Sequence, residues 1–340
     1  MNRGFRTGEL GFPWYTRDPF LFCVHHLDAY PQGNAHLGPQ GSLAGRDIGM
    51  DFAGKDGWRM YHGRRVPGFP AHPHRGFETV TVARKGFIDH SDSLGAAARF
   101  GHGDVQWMTA GRGIVHSEMF PLLDATTPNT VELFQIWLNL PARNKMVPPH
   151  FSMLWSQTIP KATIEAANGA KSEVVVVSGR FGDIVGPPPP PNSWAATPDS
   201  DVAVWTIRMG PGASLTLPTG SPTSSRCLYF FEGDRIKVDD HAITSHVYLD
   251  FDEAKSVTVA NGDAPAELLL LQGRPIDEPI AHHGPFVMNT RRELHQAMLD
   301  YQSTRFGGWP WPDEEPVHAK DAGRFARHAD GKVEKFDVER

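Results

Sequence analysis

Two short pairs of metal-binding side chains, His72 with His74 and His116 with Glu118, constrain this chain more than any other feature. Each pair is separated by one residue. Successive side chains on a β-strand point to opposite faces, so residues i and i+2 share a face and can aim two ligands at one point. Two such strands meeting inside a barrel supply three imidazoles and a carboxylate to one cation. They also leave room in an octahedral shell for other molecules, the pattern of a catalytic metal site rather than a closed structural one. An HxH pair alone is a frequent accident of sequence. The HxE pair about forty residues on, in a β context after the Gly-rich turn Ala110-Gly111-Arg112-Gly113, gives it weight.

The surrounding sequence supplies that β context. Phe77 to Ala83 (FETVTVA) has the β-branched and aromatic content of a strand, and Lys85-Gly86 marks its turn. Phe87 to Ser91, Val105 to Thr109 and Ile114 to Met119 follow as further strands, and residues 130 to 140 (TVELFQIWLNL) are apolar on both faces, as a strand buried on both sides would be. After a break at PARNKMVPP come strands at 173–178, 202–209, 214–217, 226–231, 236–238 and 267–272, with a stiff polyproline stretch, GPPPPPN, at 186–192. Many short strands, Gly/Pro turns and almost no helical period predict an all-β protein of two tandem barrels with a few short helices. The expected divisions are 12–147, a metal-binding barrel; 148–288, a second barrel; and 289–340, a helix and extended tail. The helix begins at the capping box Thr290–Glu293, carries Leu294, Ala297, Met298 and Tyr301 on one face, and is expected to close at Gly307-Gly308. Past Trp309 and Trp311 the tail turns polar and is expected to lie over the surface or fray at its end.

Strand parity extends the candidate site. His72, His74, Gly76 and Glu78 are all even, so on an unbulged strand Glu78 faces the same interior as the histidines and competes with Glu118 as a carboxylate near the metal. Gln106 and Met108 share a face that could line a pocket, with Trp107 opposite them in the core. Arg75 and Arg112 are expected to pair with carboxylates at a barrel rim, and His90 and His102, beside turn signals, to be exposed. His25 and His26 are adjacent, face opposite ways on a strand and cannot chelate together. The second half has no HxH; where a related barrel would carry its ligand strand it reads SSRCLYFFEGD, so only the first barrel is expected to hold a metal.

Composition narrows the function. A formal net charge of -6 over 340 residues, with no Lys/Arg block, argues against a direct nucleic-acid partner. The two cysteines, Cys23 and Cys227, form no CxxC and no disulfide framework, which fits a reducing compartment. The N-terminus has no apolar h-region, and nowhere do about 18 apolar residues run together, so the expectation is a cytoplasmic protein without a membrane span.

The runs HPHRGFETVT at 72–81, GDVQWMTAGRGIVHSEM at 103–119, WLNLPARNKMVPPH at 137–150 and GPFVMNT at 284–290 together resemble the pirins of the cupin superfamily. The resemblance covers most of the chain from about residue 19 to the late helix, and the tail after Gly307 is similar to an extension found in bacterial members. It implies a bicupin with a metal in the N-terminal barrel and a degenerate C-terminal one. The family's ligands fall on His72, His74, His116 and Glu118, with iron, as Fe(II), the usual metal and other divalent ions accepted; Glu78 then lies behind the ligands. Val82-Ala83-Arg84 stands where a tyrosine is common in the family, and the Pro run is an insertion relative to shorter members.

Some pirins resemble quercetin 2,3-dioxygenases in function as well as fold, and eukaryotic ones act as iron-dependent transcription cofactors. Fold alone does not choose between these. The first alternative implies a metal-dependent dioxygenase taking a flavonol-like substrate and O2, with Glu118 or Glu78 as general base. The other implies a non-catalytic iron-binding regulator that acts through a protein partner.

Overall fold

Gly86, with φ 71, turns the chain between Phe77–Lys85 and Phe87–Asp92, and the same alternation of strand and glycine turn recurs along the molecule. The computed structural model describes residues 4–336. Strands dominate it, and Arg291–Thr304 (α1) is the one α-helix among the described residues. The all-β expectation therefore holds. Two compact units are present, and they interleave in sequence: one takes the chain up to Val24 with 136–141 and 157–277, the other 25–135, 142–156 and everything from 278 on. The contiguous divisions read from the sequence do not match this interleaving, because strands at the start and middle of the chain each continue from one unit into the other.

The ligand pairs belong to a unit with two large sheets, built among the described residues from eleven strands. In chain order these are β1 Phe20–Tyr30, β2 Gly68–His74, β3 Phe77–Lys85, β4 Phe87–Asp92, β5 Ala97–Gly101, β6 Val105–Thr109, β7 Ile114–Met119, β8 Asn129–Asn139, β9 His150–Leu154, β10 Arg324–Arg327 and β11 Val333–Phe336. One sheet has the order β9-β6-β3-β8-β1 and the other β11-β10-β5-β4-β7-β2. Ile88, Phe100, Phe120, Val131, Leu133, Phe151 and Met153 pack together in one apolar core cluster. Both ligand pairs lie on the second sheet, on its edge strand β2 and on β7 beside it.

The tail is more firmly held than the sequence suggested: Phe325, Ala326 and Arg327 pair with Arg99, Ala98 and Ala97 and extend the ligand sheet, while its last four residues lie outside the described ones. The polar composition misled because backbone pairing needs no apolar side chain. The capping box forms in both directions around Thr290 and Glu293. The helix ends earlier than expected, at Arg305 with φ 50, before the two glycines. Leu294 and Ala297 pack on Phe286 and Met288, with Met298 and Tyr301 alongside.

The other unit has a seven-stranded sheet that includes Ser225–Glu232, Ala266–Gly273 and Ala203–Met209, and a four-stranded sheet centred on Val257–Asn261 and Ile236–Val238. Trp205, Leu228, Phe230, Leu249, Leu268 and Leu270 fill its core. Arg226 to Phe231 is a buried strand without histidine. Cys23 and Cys227 are buried free thiols, both pushed up by burial, Cys227 to about 12. No helix among the described residues is long and apolar enough to cross a membrane.

Candidate metal centre

Antiparallel pairing of β2 with β7 sets His72 directly opposite His116 and His74 opposite Ile114, after a register shift between Phe69 and His72. The three rings converge: centroids are 4.5 Å apart for His72 and His116, 4.8 Å for His72 and His74, and 4.9 Å for His74 and His116. One nitrogen from each lies within 4.8 Å of the other two, and no other group of three potential ligands this close exists among the described residues.

The hydrogen bonding of these rings fits a cation. His72 Nδ1–H donates to the Pro70 carbonyl at 2.7 Å, which leaves Nε2 as a lone pair. That Nε2 faces Nε2 of His74 at 3.1 Å. Neither ring nitrogen of His116 has a protein partner, although the residue is completely buried. Unpaired buried nitrogens are costly unless something satisfies them. Burial holds all three imidazoles neutral: His72 is lowered to about 4 against the pull of the Pro70 carbonyl, and His74 and His116 are lowered further, burial being reinforced by neighbouring histidines. Neutral imidazole is the form that binds metals.

Glu118 lies on β7 two residues beyond His116 and is 4% exposed. Its carboxylate accepts from the Thr81 hydroxyl at 2.8 Å and from Gln135 Nε2 at 3.1 Å. Burial raises its pKa, partly offset by Thr81, His90 and Gln135. The carboxylate is thus beside the imidazole cluster in sequence and held by the opposite sheet.

His90 corrects the sequence reading. It is not exposed but wholly buried on β4, opposite Glu118 in register, stacked on Phe151 at 4.9 Å and 5.5 Å from the ring of His116. The turn signal at 92–95 is real, but His90 points inward from the strand before it. Thr81 and Gln135 were also missed as neighbours of the site. A glutamine among the apolar residues of 130–140 was the one available signal.

Glu78 is placed differently from its parity expectation. The chain does not run straight from His74: β2 ends there, Gly76 adopts φ 87, and β3 starts at Phe77 in the other sheet. Parity counted across that turn fails. Glu78 pairs with Thr109, whose hydroxyl donates to it at 2.6 Å, and it lies on the face of β3 opposite Thr81. Gln106 and Met108 pair with Thr81 and Thr79 and share the face that holds Glu118, Gln106 Oε1 lying 3.4 Å from the Thr81 hydroxyl. Met108 packs with Ala110 and Ile114. Arg75 pairs with Asp300 at 2.6 Å, as expected of a rim arginine, while the Arg112 side chain is exposed and its carbonyl accepts from Arg75. His102 is exposed. His25 and His26 do face apart, toward Glu132 and Tyr61.

The pirin sequence family matches residues 47–138 and the pirin C-terminal cupin domain residues 204–307. A Pseudomonas aeruginosa protein, provisionally named a quercetin 2,3-dioxygenase, is 36% identical over 84% of this chain and 92% of its own. The chain belongs to the pirin family. Human pirin is 35% identical to this pirin over 73% of the chain and 80% of its own length. The crystal structure of a quercetin 2,3-dioxygenase from Acinetobacter baumannii superimposes with a TM-score of 0.67 at 28% identity, covering 85% of this pirin and 86% of that chain. The fold is accordingly the bicupin, with a cupin-type histidine cluster in the N-terminal cupin.

Proposed function

We propose that this pirin is a metal-dependent dioxygenase that opens the ring of a flavonol such as quercetin, with the cation held by His72, His74, His116 and Glu118. The observation that carries the reading is the convergence of three neutral, buried imidazoles, one of them without a hydrogen-bond partner, with the buried carboxylate of Glu118 two residues along the strand from His116. The likeness to relatives named for quercetin dioxygenation supports the choice of substrate class.

A bound divalent ion, Fe(II) by family resemblance, would supply Lewis-acid stabilisation of a deprotonated flavonol hydroxyl and a redox centre for O2. The chain's residues do the rest. Glu118 accepts the hydroxyl proton, either while it is coordinated or after it leaves the cation. Thr81 and Gln135 fix the carboxylate, and Gln106 and Met108 line the substrate side of the same sheet face. Glu78, hydrogen-bonded on the opposite face, is the weaker candidate for the base. A reducing cytoplasm, in which both buried cysteines stay as thiols, is the compartment consistent with this chemistry.

The test is anaerobic loading with Fe(II), addition of quercetin, then O2. Ring cleavage consumes one O2 per flavonol and releases carbon monoxide. An iron-loaded protein that consumes no oxygen with any of a panel of flavonols sinks the enzyme reading and leaves a non-catalytic iron-binding regulator working through a protein partner.

A further inference from the structure

The metal ligand His72 sits on β2, the edge strand of its sheet, and an edge strand has one row of backbone groups without a partner strand. The defect is worst just before the ligand: the pairing of β2 with β7 shifts register between Phe69 and His72. Residues 309–327 cross to this point. The Glu314 carbonyl accepts from Ala71 N at 2.8 Å, and the Glu315 carboxylate accepts from Arg64 N and Arg65 N at 3.0 and 3.2 Å. Arg65 also pairs with Asp313.

From there the segment crosses the strands beside the site. Trp311 Nε1 donates to the Asp92 carbonyl at 2.9 Å and His318 Nε2 to the His90 carbonyl at 3.0 Å. His318 N donates to Asp89 Oδ2 at 2.7 Å. Asp89 is also paired with Arg99, both wholly buried, and the Arg99 guanidinium donates to the carbonyls of His318 and Ala319. The segment finally pairs with β5 as β10. It is therefore tied to both flanks of the ligand sheet and to the backbone of His90.

We infer that residues 309–327 are a strap that positions His72 for metal, with Glu315 and the Ala71 amide as its positioning contacts. This rests on the metal site proposed above. A loosened edge strand would let the His72 ring leave the cluster more often, and loss of such outer contacts typically weakens metal sites about ten- to a hundredfold.

The experiment uses the full chain loaded with Co(II) and follows metal release to EDTA, the melting temperature, and amide exchange across 68–74. Glu315→Ala and Ala71→Pro should speed cobalt release about tenfold or more and raise exchange in that segment. Phe336→Ala, which removes a ring 4.5 Å from Trp155 on the far side of the sheet, should lower the melting temperature without speeding release. If release merely follows melting temperature across the three variants, or is unchanged in Glu315→Ala, the strap is structural only and the inference is overturned. Should Ala71→Pro not fold, Glu315→Ala decides. A parent protein that binds no cobalt would instead count against the metal site itself.

Discussion

The Nε2 atoms of His72 and His74 face each other at 3.1 Å, while Nδ1 of His72 is committed to the Pro70 carbonyl. The lone pair left on His72 Nε2 points at the ring of His74, and with both imidazoles held neutral by burial the pair is in the form that binds a cation.

Replacing His72 or His116 with alanine should therefore remove most bound metal, measured by elemental analysis of the purified protein against a parent value near one ion per chain. Full metal content in both variants would refute the ligand assignment.

Thr81→Val keeps the shape of the side chain and removes the donor to Glu118. Because the three histidines remain and Gln135 still holds the other oxygen of Glu118, most metal should be retained at saturating ion, while turnover falls about tenfold or more, since a general base works only when held in place. Equal turnover would show that the Thr81 contact does not position the base.

Gly76 adopts φ 87, and a Cβ there would fall 1.9 Å from the Val287 carbonyl oxygen. Gly76→Ala should destabilise the ligand-bearing unit by about 3 kcal/mol or more, since backbone strain and overlap with a fixed carbonyl both act. Thermal or urea unfolding of the metal-free protein reads this directly.

Glu132 supplies the pH dependence. Burial pushes its pKa up, but the hydrogen bond from His25 and the charges of Arg84 and Lys85 prevail and bring it from the ordinary 4.5 to about 2. A carboxylate whose folded value lies below its unfolded one binds fewer protons when folded. Its stabilising contribution is complete above about pH 4.5 and is lost as pH falls toward 2. Glu132→Gln should cost about 3 kcal/mol at neutral pH by leaving Arg84 without its buried partner. The gap between variant and parent should close on acidification through that window; a gap independent of pH would mean that packing rather than charge is responsible.

Local sequence determined a good deal here. The i, i+2 spacing of His72/His74 and His116/Glu118 is a property of one strand at a time, so it was readable without a fold, as was the Thr290 capping box. The tertiary structure decided what depends on which strands become neighbours. Glu78 was misjudged because parity survives only while a strand stays straight, and the turn at Gly76 sends it to another sheet. His90 was misjudged because its burial comes from β7 and Phe151, residues distant along the chain, and the strand pairing of the tail was not foreseen because its partner β5 lies more than two hundred residues earlier. Strand periodicity fixes which residues share a face; only long-range pairing fixes what that face meets. For the stretch from His72 to Glu118, the histidine cluster was therefore legible in advance, and the hold that Thr81 and Gln135 keep on Glu118 was not.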